Sequence, residues 1–267
     1  AQTWKVLENN DPASVFLYPD TASSRAGITA ITRKLESGPV AIVGAGGTGA
    51  YTLDLVAKTP AKEIHLFDGD RFGQHNAFRA PGAPSVAQLK EMPYKVDYFV
   101  SIYSRMRRAI IPHRYYIDAT NVSELEGMDF VFLCMDAGNT KLGIVEKLEA
   151  AGIPFIDVGM GITVDDTQSL RGILKVTTST TGKRDHVRDN QRIEFRGDGE
   201  NVHAQNIQIA DLPPAGRRKA GKRVAAALEQ DCPLAGQRQR TAHHLDLPER
   251  SRLALPCRIA GIGERLG

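Results

Sequence analysis

Residues 39–70 read PVAIVGAGGTGAYTLDLVAKTPAKEIHLFDGD, and the order of residue types in this stretch decides the fold. Val40-Ala41-Ile42-Val43 is a short, continuous apolar run, as a strand buried on both faces of a parallel sheet requires. Gly44-Ala45-Gly46-Gly47-Thr48-Gly49 follows it. Glycines there let the backbone turn tightly and approach phosphate oxygens with no Cβ in the way. The helix expected to begin in this loop and run to about residue 58 adds unpaired N–H groups and the positive end of its dipole. A second strand is expected at residues 63–67, closed by Asp68, 24 residues after Gly44. A carboxylate at that point is placed to accept hydrogen bonds from ribose hydroxyls. Asp68-Gly69-Asp70 also reads as a strand-end turn, and the two roles are compatible. A glycine loop alone is a weak signal, but one flanked by the correct strand and helix predicts adenine-nucleotide binding.

Outward from this unit, strands alternate with helices. A helix is expected over residues 21–36, stopped by Ser37-Gly38-Pro39. Residues 85–93 read as a loop and residues 96–111 as a long helix. Further strands are expected at 115–117, 130–135 and 154–158, with a helix over 140–151 closed by Gly152. Residues 162–164 and 172–176 suit a hairpin turning around residues 166–169, and residues 15–18 a short strand. The predicted class is α/β: a Rossmann-like, doubly wound, mainly parallel sheet with an antiparallel extension. The domain reading is an extension at 1–20, a nucleotide-binding domain at 21–180, a partial C-terminal part of the fold at 181–211, and a basic tail at 212–267.

Composition agrees with a globular body. Of the 267 residues 42% are hydrophobic and 24% charged, an ordinary globular balance with length enough for a sizeable core. The net charge of +3 is unevenly spread: residues 211–267 hold 11 Lys/Arg against 6 Asp/Glu, the rest 23 against 25. A near-neutral body gives no reason to expect a nucleic-acid partner. Three scattered cysteines form neither a disulfide framework nor a zinc-holding pair, which suits a reducing, cytoplasmic setting. No run is long and apolar enough for a membrane helix, and no signal-peptide pattern opens the chain. After Phe195 there is no Phe, Tyr or Trp. A segment without aromatic side chains buries little, so a poorly ordered C-terminal region is expected, with a short helix at 223–229.

The loop and Asp68 suit an NAD enzyme as well as an ATP enzyme. Beyond Asp70, however, come Gln74-His75-Asn76-Ala77-Phe78-Arg79, then Lys95, then Asp136 at the exit of the fourth strand. An Asn, an Arg, a Lys and an Asp meeting at the C-terminal edge of a sheet suit a triphosphate with magnesium, because the cations neutralise phosphate charge and the carboxylate holds the metal. Hydride transfer requires no such set.

These residues resemble the ThiF/MoeB/HesA family, the adenylating fold shared with ubiquitin-activating enzymes, over roughly residues 24–176. The resemblance places the nucleotide loop on Gly44, Gly46, Gly47 and Gly49, the ribose-binding carboxylate on Asp68 and the following one on Asp70. It places the nucleotide-touching Asn-x-x-Arg on Asn76 and Arg79, the phosphate-binding lysine on Lys95 in preference to Lys90, and the magnesium ligand on Asp136. Arg25 is the candidate for an arginine that reaches across a homodimer to the partner's nucleotide; a solvated helix face explains it equally well. His75 carries no assigned role. The implied activity joins the C-terminal carboxylate of a ubiquitin-like or sulfur-carrier protein to the α-phosphate of ATP and releases pyrophosphate, with ATP and Mg²⁺ as cofactors. Arg79, Lys95 and Asp136 would carry catalysis.

The sequence departs from this family in two ways. No cysteine is placed as a thioester nucleophile: Cys134 reads as a buried small hydrophobe, and Cys232 and Cys257 lie in the unpatterned tail. The basic, aromatic-free tail itself looks more like translation of a shifted reading frame than an evolved domain, with a natural basic tail as the rival reading. An oxidoreductase using NAD(P) or FAD on the same loop, and a catalytically inactive nucleotide-binding scaffold, are the alternative functions.

Overall fold

The computed structural model describes residues 6–136, 138–164, 167–189, 192, 193 and 195. Six strands form one sheet: β1 (Ser37–Val43), β2 (Ala61–Phe67), β3 (Ile110–His113), β4 (Phe130–Leu133), β5 (Phe155–Val164) and β6 (Leu170–Ser179). Their spatial order is β3-β2-β1-β4-β5-β6. The first five pair in parallel and β6 runs antiparallel to β5, from Phe155 opposite Ser179 to Val164 opposite Leu170. The mainly parallel sheet with a hairpin extension is therefore as expected, with a longer hairpin.

The apolar runs of the central strands divide between two cores because successive side chains point to opposite faces. Val40, Ile42, Ile64, Leu66, Phe130 and Phe132 face α3 (Gly47–Val56) and α6 (Lys95–Tyr103), meeting Leu53, Val56, Val96 and Phe99. Ala41, Val43, Phe67, Val131 and Leu133 face the other way, onto Ile144, Val145 and Leu148 of α7 (Asn139–Ala150). The chain thus winds outward from β1 with its helices on one face, returns to β4, and winds the other way with its helix on the opposite face. Between β1 and β4 the order reverses, and the crevice at their carboxyl ends is where such sheets bind ligands.

Several local expectations are corrected. Residues 21–36 are not one helix but α1 (Thr21–Arg25) and α2 (Thr29–Thr32), followed by a 3₁₀ turn (Arg33–Leu35). Gly27 at φ +71° breaks them apart, and Asp20 caps α1 through the N–H groups of Ala22 and Ser23. After α4 (Gln74–Ala77), the expected loop at 85–93 contains α5 (Val86–Glu91). Its start is a capping box in which Ser85 Oγ accepts from Gln88 N–H and Gln88 Oε1 accepts from Ser85 N–H. α6 ends at Tyr103 rather than 111, and the third strand is β3 at Ile110–His113 rather than 115–117. Ile110 and Ile111 are too short an apolar run for periodicity to separate strand from helix; the edge of the sheet claims them, through their pairing with Ile64 and His65.

Residues 15–18 contribute only an isolated bridge, Phe16 with Arg107. Arg107 is 1% exposed and donates to the carbonyls of Thr59, Ala61 and Arg108. Arg108 donates to the carbonyl of Ser14 at 2.7 Å. This pair of arginines fastens the N-terminal segment to the α3–β2 connection. The tail at 212–267, its expected helix, Cys232 and Cys257 lie outside the described residues, as does most of 181–211. Among the described residues no helix is long and apolar enough to cross a membrane.

Candidate nucleotide site

The glycine loop leaves β1 at the switch point. Gly44 has φ +95°, and a Cβ on it would stand 2.7 Å from the Cys134 carbonyl oxygen. A Cβ on Gly49 would lie 1.7 Å from the Gly44 carbonyl oxygen, so this glycine lets α3 close down on the strand. Gly46 differs: nothing lies within 4 Å of its Cβ position. It is the residue that opens α3, with no side chain capping the helix, so the first-turn N–H groups are left without a side-chain cap.

Asp68 reaches across to this loop. One carboxylate oxygen accepts from Ala45 N–H at 2.8 Å and the other from Asp70 N–H at 2.8 Å. Lys95, 6% exposed at the start of α6, donates to Asp70 at 2.6 Å and lies 3.6 Å from Asp68. Burial would raise the Asp70 carboxyl, but the hydrogen bonds from Lys95 and Tyr116 and the charge of Lys95 hold it below its ordinary value. Lys90 is exposed on α5. The tertiary structure thus joins Ala45, Asp68, Asp70 and Lys95 into one cluster.

The other expected residues lie on other segments. Asn76 is buried in α4, where its Oδ1 accepts from Gly73 N–H at 2.8 Å. Arg79 follows that helix, half-buried, its N–H bonded to the Asn76 carbonyl at 3.0 Å. His75 is exposed. Asp136 is exposed three residues beyond the end of β4, on the other side of the switch point. Arg25 is exposed at the end of α1 and makes no described bond to the cluster. Burial pushes the Cys134 thiol up to about 12, which keeps it protonated near neutral pH and unsuited to nucleophilic attack.

Two features were not legible beforehand. Tyr116 donates its hydroxyl to Asp70. Lys141 of α7 donates to Asp157 of β5 at 2.8 Å, each 3% exposed. Burial raises the Asp157 carboxyl and Lys141 opposes that rise. No spacing rule links residues 16 or 46 positions apart on different elements.

An uncapped helix N-terminus with Asp68 and Lys95 beside it, at a topological switch point, is the arrangement by which doubly wound α/β proteins hold nucleotides. The chain belongs to the ThiF family, whose sequence profile matches residues 22–174. It superposes on E. coli MccB solved with ATP at a TM-score of 0.56 and 16% identity, covering 82% of this chain and 64% of that one. E. coli tRNA N6-threonylcarbamoyladenosine dehydratase, TcdA, solved with ATP, gives 0.46 and 19% over 55% of this chain and 62% of that one. PaaA gives 0.43 and 22% over 57% and 51%. At these identities the likeness is one of fold, and the chain spans about half to two thirds of the length of these solved relatives. No curated protein matches the sequence.

Proposed function

We propose that this chain is an ATP-dependent adenylating enzyme that activates the C-terminal carboxylate of a ubiquitin-like or sulfur-carrier protein, as a homodimer. The observation that carries this reading is the Asp68–Lys95–Asp70 cluster joined to the glycine loop through Ala45. Hydride transfer itself requires no lysine at that point, whereas a triphosphate is stabilised by its charge. ThiF membership and the MccB-like fold support the reading.

The residues fit the ligands the reading needs. Gly46 is open on the side where a phosphate would approach, and the uncapped first turn of α3 supplies donors to it. Asp68 is set for the ribose. Among the described residues no three His, Cys, Asp or Glu side chains gather as a metal cage; Mg²⁺ held by one carboxylate, phosphate oxygens and water needs only Asp136. When bound, Mg²⁺ would offset phosphate charge.

The chemistry is then largely positioning. A peptide carboxylate is ionised near neutral pH and needs no general base. Its oxygen forms a bond to the α-phosphorus while the bond from that phosphorus to the bridging oxygen breaks, and pyrophosphate leaves with the electron pair. Arg79 and Lys95 would hold phosphate oxygens, and Asn76 would fix the turn that presents Arg79. Exchange of labelled pyrophosphate into ATP, with Gly-ending carrier proteins as acceptors, tests the assignment. Asp136→Ala is expected to abolish exchange with an unchanged circular-dichroism spectrum; wild-type exchange in that variant would refute it.

A further inference from the structure

Tyr116 stands three residues past β3 and 46 positions from Asp70, with its hydroxyl donated to the Asp70 carboxylate. Its ring lies over Gly69: a Cβ there would meet the ring at 2.8–3.0 Å. The turn between the two acidic residues must therefore be glycine while the ring is in place. The backbone beneath Tyr116 is fastened too, since Asn121 donates to the Tyr116 carbonyl at 2.9 Å and accepts from Asp118 N–H at 2.8 Å. Hydroxyl and ring both act on the short segment that carries Asp68 and Asp70.

That segment in turn holds Lys95. Asp70 keeps one oxygen on Lys95 at 2.6 Å and gives the other to Tyr116. With both oxygens engaged, the carboxylate has one rotamer, and the ammonium it grips has one position, 3.6 Å from Asp68. The Asp70 side chain is half exposed, and among its described contacts Tyr116 fixes its rotation on the solvent side.

We propose that Tyr116 is a positioning residue for Lys95, holding its ammonium beside the glycine loop through Asp70. The inference rests on the nucleotide reading for its consequence, that Tyr116 matters to phosphate binding, but the mechanical link is independent of any ligand. A phenol is protonated near neutral pH in any case, and the hydrogen bond to Asp70, together with burial, raises this one further above its ordinary value.

Two measurements on the full chain separate this role from others. In the first, Lys95 is acetylated with an N-hydroxysuccinimide ester without nucleotide and its labelling rate followed by mass spectrometry. Tyr116→Phe removes only a hydroxyl on an exposed residue, and it should raise the Lys95 rate about five-fold, the worth of one hydrogen bond. Gly69→Ala, which displaces the ring, should do the same. In the second, ATP and adenosine affinities are compared by calorimetry. Tyr116→Phe should weaken ATP about five-fold and leave adenosine unchanged, because Lys95 acts on phosphate. Equal weakening of both ligands would make Tyr116 a direct nucleoside contact and overturn the proposal. An unchanged labelling rate would overturn it as well. Should the wild-type chain bind no ATP, the function proposed above fails, and the labelling result alone decides the link from Tyr116 to Lys95.

Discussion

Two glycines of the same loop do opposite work. Gly49 is needed for packing, since any Cβ collides with the backbone of Gly44, whereas Gly46 has open space before it. Gly49→Ala is accordingly expected to lower the melting temperature and nucleotide affinity together. Gly46→Ala, at φ −71°, should melt within about 2 °C of wild type, a shift of order 1 kcal/mol or less, yet bind ATP less tightly because its methyl group occupies the approach to α3. Calorimetric melting and ATP titration of both variants distinguish packing from access. The Lys141–Asp157 pair is a second case where one atom's surroundings decide the energetics. A buried ion pair rarely outperforms apolar side chains of the same volume, but losing one partner strands the other. Lys141→Met should therefore cost roughly 3–5 kcal/mol in urea unfolding, and Lys141→Met with Asp157→Leu should recover most of that loss. A double variant as unstable as the single one would refute this view.

At the scale of elements, β3 is one of the two edge strands of the described sheet, and side chains help to secure it. The His113 ring stacks on Phe67 at 4.1 Å and shares a hydrogen bond with His65 at 3.0 Å. Its other nitrogen meets the Tyr115 hydroxyl at 2.9 Å, which donates to Glu124. Burial, and then the neighbouring His65, lower the His113 pKa below 6.5, with Glu124 opposing. The folded state therefore binds fewer protons here than the unfolded chain does. Stability from this residue is complete above pH about 6.5 and is lost as the pH falls through the depressed folded value. Urea midpoints should drop between pH 7.5 and 5.5, and His113→Gln should flatten part of that slope; an unaltered slope would show that the edge network does not titrate. This same strand brings the chain round to Tyr116, so the edge bears on the site as well as on the sheet.

For the whole molecule, the reversal of strand order between β1 and β4 brings Gly44 and Asp136 to one crevice, although 92 positions separate them. A ligand bound only to the native state stabilises it by about 2.7 kcal/mol at a hundred times its dissociation constant. For a chain of this size ATP with Mg²⁺ should then raise the melting temperature by roughly 5–10 °C, and NAD at the same concentration should not. A shift with NAD and none with ATP would restore the oxidoreductase reading.

Much of this was legible along the chain, because the signals are local. Residues 40–43 and 130–133 are apolar throughout since both faces of a parallel sheet are covered, and the glycines of 44–49 sit where backbone must meet backbone. Asp68 was legible from its spacing alone. Where competing local rules are nearly balanced, the sequence misleads: residues 85–93 read as a loop amid prolines, yet Ser85 and Gln88 cap α5, and Ile110 and Ile111 read as the end of a long helix, yet they lie in β3. Tertiary packing resolved both. It also paired Lys95 with Asp70, set Tyr116 over Gly69, and buried Lys141 against Asp157, because contacts between residues far apart in the chain exist only once the sheet has closed. The sequence by itself determined the strand–loop–helix–strand unit, through short-range sterics and the period of apolar residues. The tertiary structure alone decided which charges meet, since that depends on distances in space that no spacing along the chain encodes.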